Sequence, residues 1–343
     1  MGRTQYTAAL IGTGRIGFTL GFDKKREQPA SHTMALLNNR RIRLVAGCDI
    51  DSVRLSAWRA FVHRADTFSD AASLLAAVHP DIVVIAAEEA AHEPLALAAL
   101  AARPRLIILE KPVAVTLTAG RRIAQAAADA RVPILINHER RFAVDYAAAR
   151  CAVQTIGAIQ SVTAFLGSSL CVYDPTAESD GSYSLLHDGT HLFDIVPFIL
   201  GAESAATLTA AEVTSITRHS TNHAQIDQCT VTCRSAVCAD IVIRLSGRSR
   251  YFAFELDILG TEGRVRIGNG MYEVYRRMPS RLYSGFYSLA SDRHTHIPKK
   301  TGYFARMVQH AVDYLDGNVP LKSSIADGLA ALELIETIKA QLQ

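Results

Sequence analysis

The sequence predicts two joined folds: an α/β half built on a doubly wound parallel sheet, and an α+β half built on a largely antiparallel, open-faced sheet. Two observations carry this. Up to about residue 137, short apolar runs alternate with alanine- and leucine-rich helical stretches, whereas after Tyr146 longer strands with apolar alternation take over. At 343 residues the chain also exceeds what one hydrophobic core usually serves, so the expected domains are 1–137 and 138–343.

The strand candidates of the first half are Thr7–Ile11, Arg43–Cys48, Ile82–Ala86, Leu106–Leu109 and Ile134–Ile136. None alternates for long, as expected of parallel strands covered on both faces. Helical spacing marks Asp70–Val78, His92–Ala101 and Leu117–Ala130 between them. In the second half Phe252, Phe254, Leu256 and Ile258 share one strand face, and Gly-Thr-Glu-Gly at 260–263 turns the chain into Arg264–Ile267. Val237, Ala239, Ile241, Ile243 and Leu245 repeat the alternation. A helical tail starts at Tyr303 and is interrupted by Asp-Gly-Asn-Val-Pro at 316–320. The serine-, glycine- and aspartate-rich stretch 167–184 reads as a loop long enough to carry binding function.

Composition narrows the class. Hydrophobic residues make up 49% and charged residues 20%, which excludes disorder as the main theme. The net charge of +3 comes with no basic block or stripe, so nucleic acid is not an expected partner. No apolar run has the length of a membrane span, and the N-terminus enters a strand-like segment at once, leaving a cytoplasmic location as the expectation. Six cysteines show neither a disulfide framework nor a CxxC pair, so Cys229, Cys233 and Cys238 read as packing thiols and no metal site is expected.

The run Leu-Ile-Gly-Thr-Gly-Arg-Ile-Gly sets Gly12, Gly14 and Gly17 directly after the first strand, at the start of an expected helix. The first glycine permits a tight turn, the second lets a pyrophosphate approach the backbone, and the third allows close helix packing. Arg15 and Ile16 lie within the loop and join the glycines as candidate dinucleotide contacts. Leu-Val-Ala-Gly-Cys-Asp ends the second strand at Asp49, whose carboxylate would meet ribose hydroxyls and repel a 2′-phosphate. This is the layout of a Rossmann domain, with NAD as the expected cofactor. NADP is the alternative, because an insertion lengthens the usual spacing of about 20 residues and carries Lys24, Lys25 and Arg26. His32, also in that segment, reads as a surface histidine rather than a cleft residue.

Leu-Ile-Ile-Leu-Glu-Lys-Pro, residues 106–112, places Lys111 between a glutamate and a proline at the end of a buried strand. Pro112 cannot continue a sheet ladder, so the chain must turn where α/β ligands bind. Lys111 would then face the crevice as a proton acceptor, favoured in that role by burial and by nearby positive charge. A salt bridge to Glu110 is the structural alternative.

Taken with Asn-His-Glu-Arg-Arg-Phe at 137–142, His-Asp-Gly-Thr-His-Leu-Phe-Asp at 187–194 and the tail from Val319 to Ile338, these motifs resemble the Gfo/Idh/MocA family of NAD(P)-dependent oxidoreductases over nearly the whole chain. The resemblance implies hydride transfer between nicotinamide and a hydroxyl or keto carbon of a sugar, cyclitol or related small molecule. It also implies that Glu110 and Lys111 contact the cofactor, that Lys111, His187 and His191 are catalytic, and that these three also bind substrate. Arg141 either holds substrate or anchors the second domain, and Asp194 would orient the helix residues 187 and 191. Two departures stand out. Ala87 and Glu88 occupy the place of a Thr-Pro pair, and His187 replaces a common aspartate, a change that shifts the site toward positive charge and toward an acidic substrate. A homo-oligomer, dimer or tetramer, is expected from the open sheet face. Two other classes compete: a dinucleotide sensor without turnover, and a lyase or glycosidase that uses NAD transiently.

Overall fold

The computed structural model of the chain describes residues 5–169, 185–201, 208–221, 226–293 and 300–342. It forms two compact units, Met1–Ala143 with Lys300–Leu329, and Val144–Lys299 with Ala330–Gln343. The segment from Lys300, placed by its sequence order in the second half, thus belongs largely to the first. The cause is packing: Phe304, Met307, Val308, Ala311 and Val312 join the first unit's core. Polar contacts fix the same segment, since Arg41 makes paired hydrogen bonds to Asp316 (3.0 and 2.8 Å) and the Tyr6 hydroxyl donates to it as well (2.7 Å).

The first unit is built on a six-stranded parallel sheet. Its strands are β1 (Tyr6–Ile11), β2 (Ile42–Cys48), β3 (Asp66–Phe68), β4 (Ile82–Ile85), β5 (Leu106–Leu109) and β6 (Ile134–Ile136), in the order β3-β2-β1-β4-β5-β6. Every residue of β4 and β5 is buried, because helices cover both faces. The helices are α1 (His32–Asn38), α2 (Ser52–Val62), α3 (Ala71–Val78), α4 (His92–Ala101) and α5 (Leu117–Ala130). Four of them start where the side chain of Ser31, Asp51, Asp70 or Thr116 accepts from an amide of the first turn. Strand order reverses between β1 and β4, and ligands of open α/β sheets bind outside the carboxyl ends at such a point.

The helix expected directly after the glycine loop does not form. Phe18 N and Thr19 N donate to Gly14 O, and Leu20 N to Arg15 O, which completes little more than one turn. A short 3-10 turn, Thr19–Phe22, and irregular chain follow before α1 opens at His32. Gly21 and Pro29 are poor helix formers. Glu27 draws the segment elsewhere, accepting from Thr301 N (2.7 Å), Thr301 Oγ1 (2.8 Å) and Gly302 N (2.7 Å) at the start of α8 (Tyr303–Leu315). Burial raises the Glu27 pKa, but these bonds outweigh it and hold the carboxyl below its ordinary range.

His310 of α8 makes a pH-dependent contact. Its Nε2 accepts from Lys322 N (2.9 Å) and its ring packs on Phe142. Burial, reinforced by the charge of Lys322, pushes its pKa down to about 4. An unfolded histidine titrates at about 6.5, so the unfolded chain takes up the proton first and stability falls as pH drops below that value toward the folded pKa. His310→Gln keeps an acceptor without a titrating group. Denaturant unfolding of this variant is expected to show a flatter stability profile between about pH 6.5 and 5 than the wild type. An unchanged slope would assign the dependence to other groups.

The second unit holds α6 (Val144–Val153), α7 (Thr190–Leu200) and an eight-stranded sheet. Its strands are β7 (Ile159–Gly167), β8 (Thr209–Arg218), β9 (Ile226–Arg234), β10 (Ile241–Ser246), β11 (Ala253–Gly260), β12 (Gly263–Gly268), β13 (Met271–Pro279) and β14 (Tyr287–Ser291), ordered β14-β13-β12-β11-β7-β10-β9-β8. All pairings are antiparallel except β7 with β10. The strand expected from Val237 begins only at Ile241. Ser235 Oγ accepts from Val237 N and Cys238 N, which turns the chain there and leaves Val237 exposed. Helix α9 (Ile325–Lys339) closes the chain. Among the described residues no helix is long and apolar enough to cross a membrane, and no cluster of histidine, cysteine and carboxylate side chains could hold a metal ion. Cys229 and Cys233 are buried, which pushes their thiols up to about 12.

Candidate active site

The carboxyl edge of the first sheet is in step across five strands. Gly12 N donates to Cys48 O, Ala86 N to Ile11 O, Glu110 N to Ile85 O and Asn137 N to Leu109 O. This ladder sets the glycine loop, Asp49, Ala87, Lys111 and Asn137 side by side. The sequence placed each at the end of a strand, and the register makes them one edge.

The loop glycines are required for different reasons. Gly12 has φ +94°, and a Cβ there would lie 2.5 Å from the carbonyl oxygen of Ala86. A Cβ on Gly17 would overlap the carbonyl of Gly12. Gly14 is different: the nearest atom to a Cβ there is Arg54 Nη1 at 3.6 Å, so its surface is open to an approaching group. Arg15 is exposed, and Ile16 packs against the core beneath. Asp49 Oδ2 accepts from Thr13 N (2.7 Å) and Thr13 Oγ1 (3.0 Å), and Oδ1 accepts from Asp51 N (2.9 Å). The carboxylate is thereby fixed beside the loop, with Oδ2 fully engaged and Oδ1 keeping acceptor capacity for a ribose hydroxyl. Lys24, Lys25 and Arg26 of the insertion are exposed, and Arg26 pairs with Asp23 at 3.5 Å.

Lys111 is half-buried immediately after β5, and its bond to Pro112 is cis. His92 Nδ1 donates to Pro112 O (2.7 Å), while its Nε2 stands 3.2 Å from Ala87 O, so α4 ties the lysine-bearing turn to the end of β4. Glu88 is exposed just beyond. Glu110 pairs inward with His32 and Asn137: its Oε1 lies 2.6 Å from His32 Nε2 and accepts from Asn137 Nδ2 at 2.6 Å. Burial raises the Glu110 pKa, but bonds from His32 and Asn137 and the charges of His32 and Lys111 overcome it and hold the carboxyl below its ordinary range. His32, read as a surface residue, is fully buried instead. The insertion concealed this, because only the fold shows α1 returning to the sheet edge.

Arg141 is committed within the first unit. It is 7% exposed, its Nη1 donates to Lys322 O (2.8 Å), and it lies 3.0 Å from Asp327 Oδ1. Both partners lie in the first unit, so these contacts tie Arg141 to the C-terminal segment of its own unit, and neither of its two expected roles, holding substrate or anchoring the second domain, is read from them. Asp327 was missed because its partner is 186 positions away in a chain whose other residues give no hint of the pairing.

In the second unit His187 lies on a π-helical turn, Leu185–Gly189, that runs into α7 carrying His191. Both histidines are half-buried, and the His191 ring meets Phe254 edge-on at 6.5 Å. The expected shared face of 187, 191 and 194 assumed unbroken α-helix. A π turn winds differently, and Asp194 is only 3% exposed. Of the 167–184 loop, residues 170–184 lie outside the described residues.

A parallel sheet with a glycine loop after β1, an acidic residue after β2 and strand order 3-2-1-4-5-6 defines an NAD-binding Rossmann domain. Residues 6–138 match the family model GFO_IDH_MocA, described as an oxidoreductase family with NAD-binding Rossmann fold. The whole chain is similar in fold to three bacterial proteins. An oxidoreductase from Agrobacterium radiobacter, crystallised with NAD+, L-tartaric acid and magnesium, has 21% identity, coverage of 99% of this chain and 96% of its own, and a TM-score of 0.77. A protein from Sinorhizobium meliloti 1021 assigned as a myo-inositol dehydrogenase has 21% identity, 98% and 97% coverage, and 0.76. The WlbA dehydrogenase of Bordetella pertussis, crystallised with NADH and UDP-GlcNAcA, has 19% identity, 100% and 96% coverage, and 0.74. Identities this low speak to fold alone. A search of curated protein sequences finds no match.

Proposed function

We propose that the protein is an NAD(P)-dependent dehydrogenase or reductase acting on a CH–OH group of a sugar, cyclitol or related small molecule. The observation that carries this is Lys111, half-buried at the end of β5 and two strands from the glycine loop on one sheet edge. NAD supplies the hydride acceptor when bound. Amides of the loop bind its pyrophosphate, with Gly14 giving the close approach, and Asp49 accepts from the ribose. Lys111 or His191 takes the hydroxyl proton, and His187 and His191 are kept as catalytic and substrate-binding candidates of the second unit.

An anionic substrate is favoured, because His187 adds a nitrogen base where the family often has a carboxylate. The ligands L-tartaric acid and UDP-GlcNAcA in two fold relatives are compatible with this. The test is incubation with NAD+ and matched neutral and acidic sugars, cyclitols and hydroxy acids, following NADH absorbance and product together. NADH with a ketone product supports the proposal. Product without NADH favours a lyase or glycosidase, and dinucleotide binding without product favours a sensor.

Asp49 next to the loop disfavours a 2′-phosphate, so NADH is expected to bind tighter than NADPH by about tenfold or more in direct calorimetric titration. Tighter NADPH binding would make the exposed insertion lysines the cofactor-selecting groups. Homo-oligomerisation is proposed through the open face of the second sheet, where Asp257, Arg264, Arg266 and Glu273 form a cross-strand charge ladder. Sedimentation at varied salt would report it.

A further inference from the structure

His32 touches two parts of the first unit at once. Its N–H donates to Ile16 O (3.0 Å), and the next residue, Thr33, donates to Gly17 O through both N–H (2.9 Å) and Oγ1 (2.7 Å). The first turn of α1 thereby clamps the last residues of the glycine loop. Trp58 Nε1 donates to Thr33 Oγ1 (2.9 Å) and closes the clamp from α2. The side chain of the same histidine reaches Glu110, the residue before Lys111, with Nε2 at 2.6 Å from Oε1.

A carboxylate only accepts, so the ring proton on this side belongs to Nε2. Nδ1 has no hydrogen-bond partner among the described residues, and Phe304 stands edge-on to the ring at 5.1 Å. The imidazole is therefore held by one polar contact and an aromatic wall. Burying an imidazole and a carboxylate costs more desolvation than apolar residues of the same volume would, so packing alone does not select this pair. Its placement does something packing would not: one residue joins the loop that faces the dinucleotide to the turn that carries the lysine.

We propose that His32 is a positioning residue that couples occupancy of the glycine loop to the setting of Lys111. A pyrophosphate that draws on the loop amides shifts the carbonyls of Ile16 and Gly17 with them. The first turn of α1 follows, and Nε2 carries the change to Glu110, whose charge and backbone set the neighbouring ammonium. This rests on the loop being the pyrophosphate site.

ADP is the suitable probe, since it carries adenosine and both phosphates but neither nicotinamide nor its ribose. The readout is the 13C-dimethyl-lysine signal of Lys111, assigned by its absence in Lys111→Arg. Saturating ADP is expected to shift this signal in the wild type. In His32→Leu the shift should fall by more than half although ADP still binds, and His32→Gln, whose amide can donate to Glu110, should restore it. Glu110→Gln keeps the side-chain volume, removes the charge and is expected to weaken the response as His32→Leu does, which keeps the test valid if the leucine variant does not fold. An undiminished response in these variants, or a wild type that binds ADP without any response, overturns the coupling alone. Failure of both ADP and NADH to bind the wild type would overturn the pyrophosphate reading and the coupling with it.

Discussion

Lys111→Met is expected to lower kcat by about 10²–10⁴ while the dissociation constant of NADH changes less than tenfold. In the proposed reading the loop amides and Asp49 hold the dinucleotide, and the substitution touches none of them. In the same proposal the lysine acts on the proton, so its loss should fall on turnover. Methionine has similar length and no charge, so Pro112 and its contact from His92 remain in place. Single-turnover measurement with the active substrate from the sugar panel separates the two quantities. A variant that keeps most of its kcat would make Lys111 a structural partner of Glu110, and one that loses NADH affinity in proportion would make it chiefly a cofactor ligand.

Arg141→Leu is expected to destabilise the first unit by about 3 kcal/mol, near the lower end for a broken buried pair. Asp327 is 32% exposed on its side chain, whereas Arg141 is 9%, so water compensates part of the loss on the acidic side only. Burial raises the Asp327 pKa, but the Arg141 charge and the bonds from Ser324 overcome it and leave the carboxyl below its ordinary range. Such a group stabilises the fold above its unfolded pKa of about 4, and the contribution is lost as pH falls through the folded value. Denaturant unfolding at neutral pH should show the full loss, and Asp327→Asn in the Arg141→Leu background should add little further. Independent, additive effects of the two substitutions would show that the pair is not a coupled unit.

The first sheet was legible because its strands are continuous apolar runs: Leu106–Leu109 and Ile134–Ile136 could be delimited to the residue. Short β3 was not, since Asp66–Phe68 has only three residues and no apolar run. The strand-end positions of the glycine loop, Asp49 and Lys111 could be read from spacing, since chain order and spatial order agree there. His32, Asn137 and Asp327 could not. Their importance comes from pairing across 78, 27 and 186 positions of chain, and the residue types involved are common at surfaces. The glycine loop's helix failed to appear for a related reason: local propensity suggested it, but Glu27 found better partners at Thr301 and Gly302. A period-two run from Val237 to Leu245 likewise hid a serine turn.

The central claim is that the open surface at Gly14 receives the cofactor pyrophosphate, and Gly14→Val tests it most directly. A Cβ at this position meets nothing closer than Arg54 Nη1 at 3.6 Å, so the folded chain should tolerate the substitution with near wild-type stability. Calorimetric titration of this variant with NADH is expected to show an affinity reduced by about a hundredfold or more, with the unfolding midpoint unchanged. NADH binding at wild-type affinity by a folded Gly14→Val protein would contradict the placement of the dinucleotide on this loop.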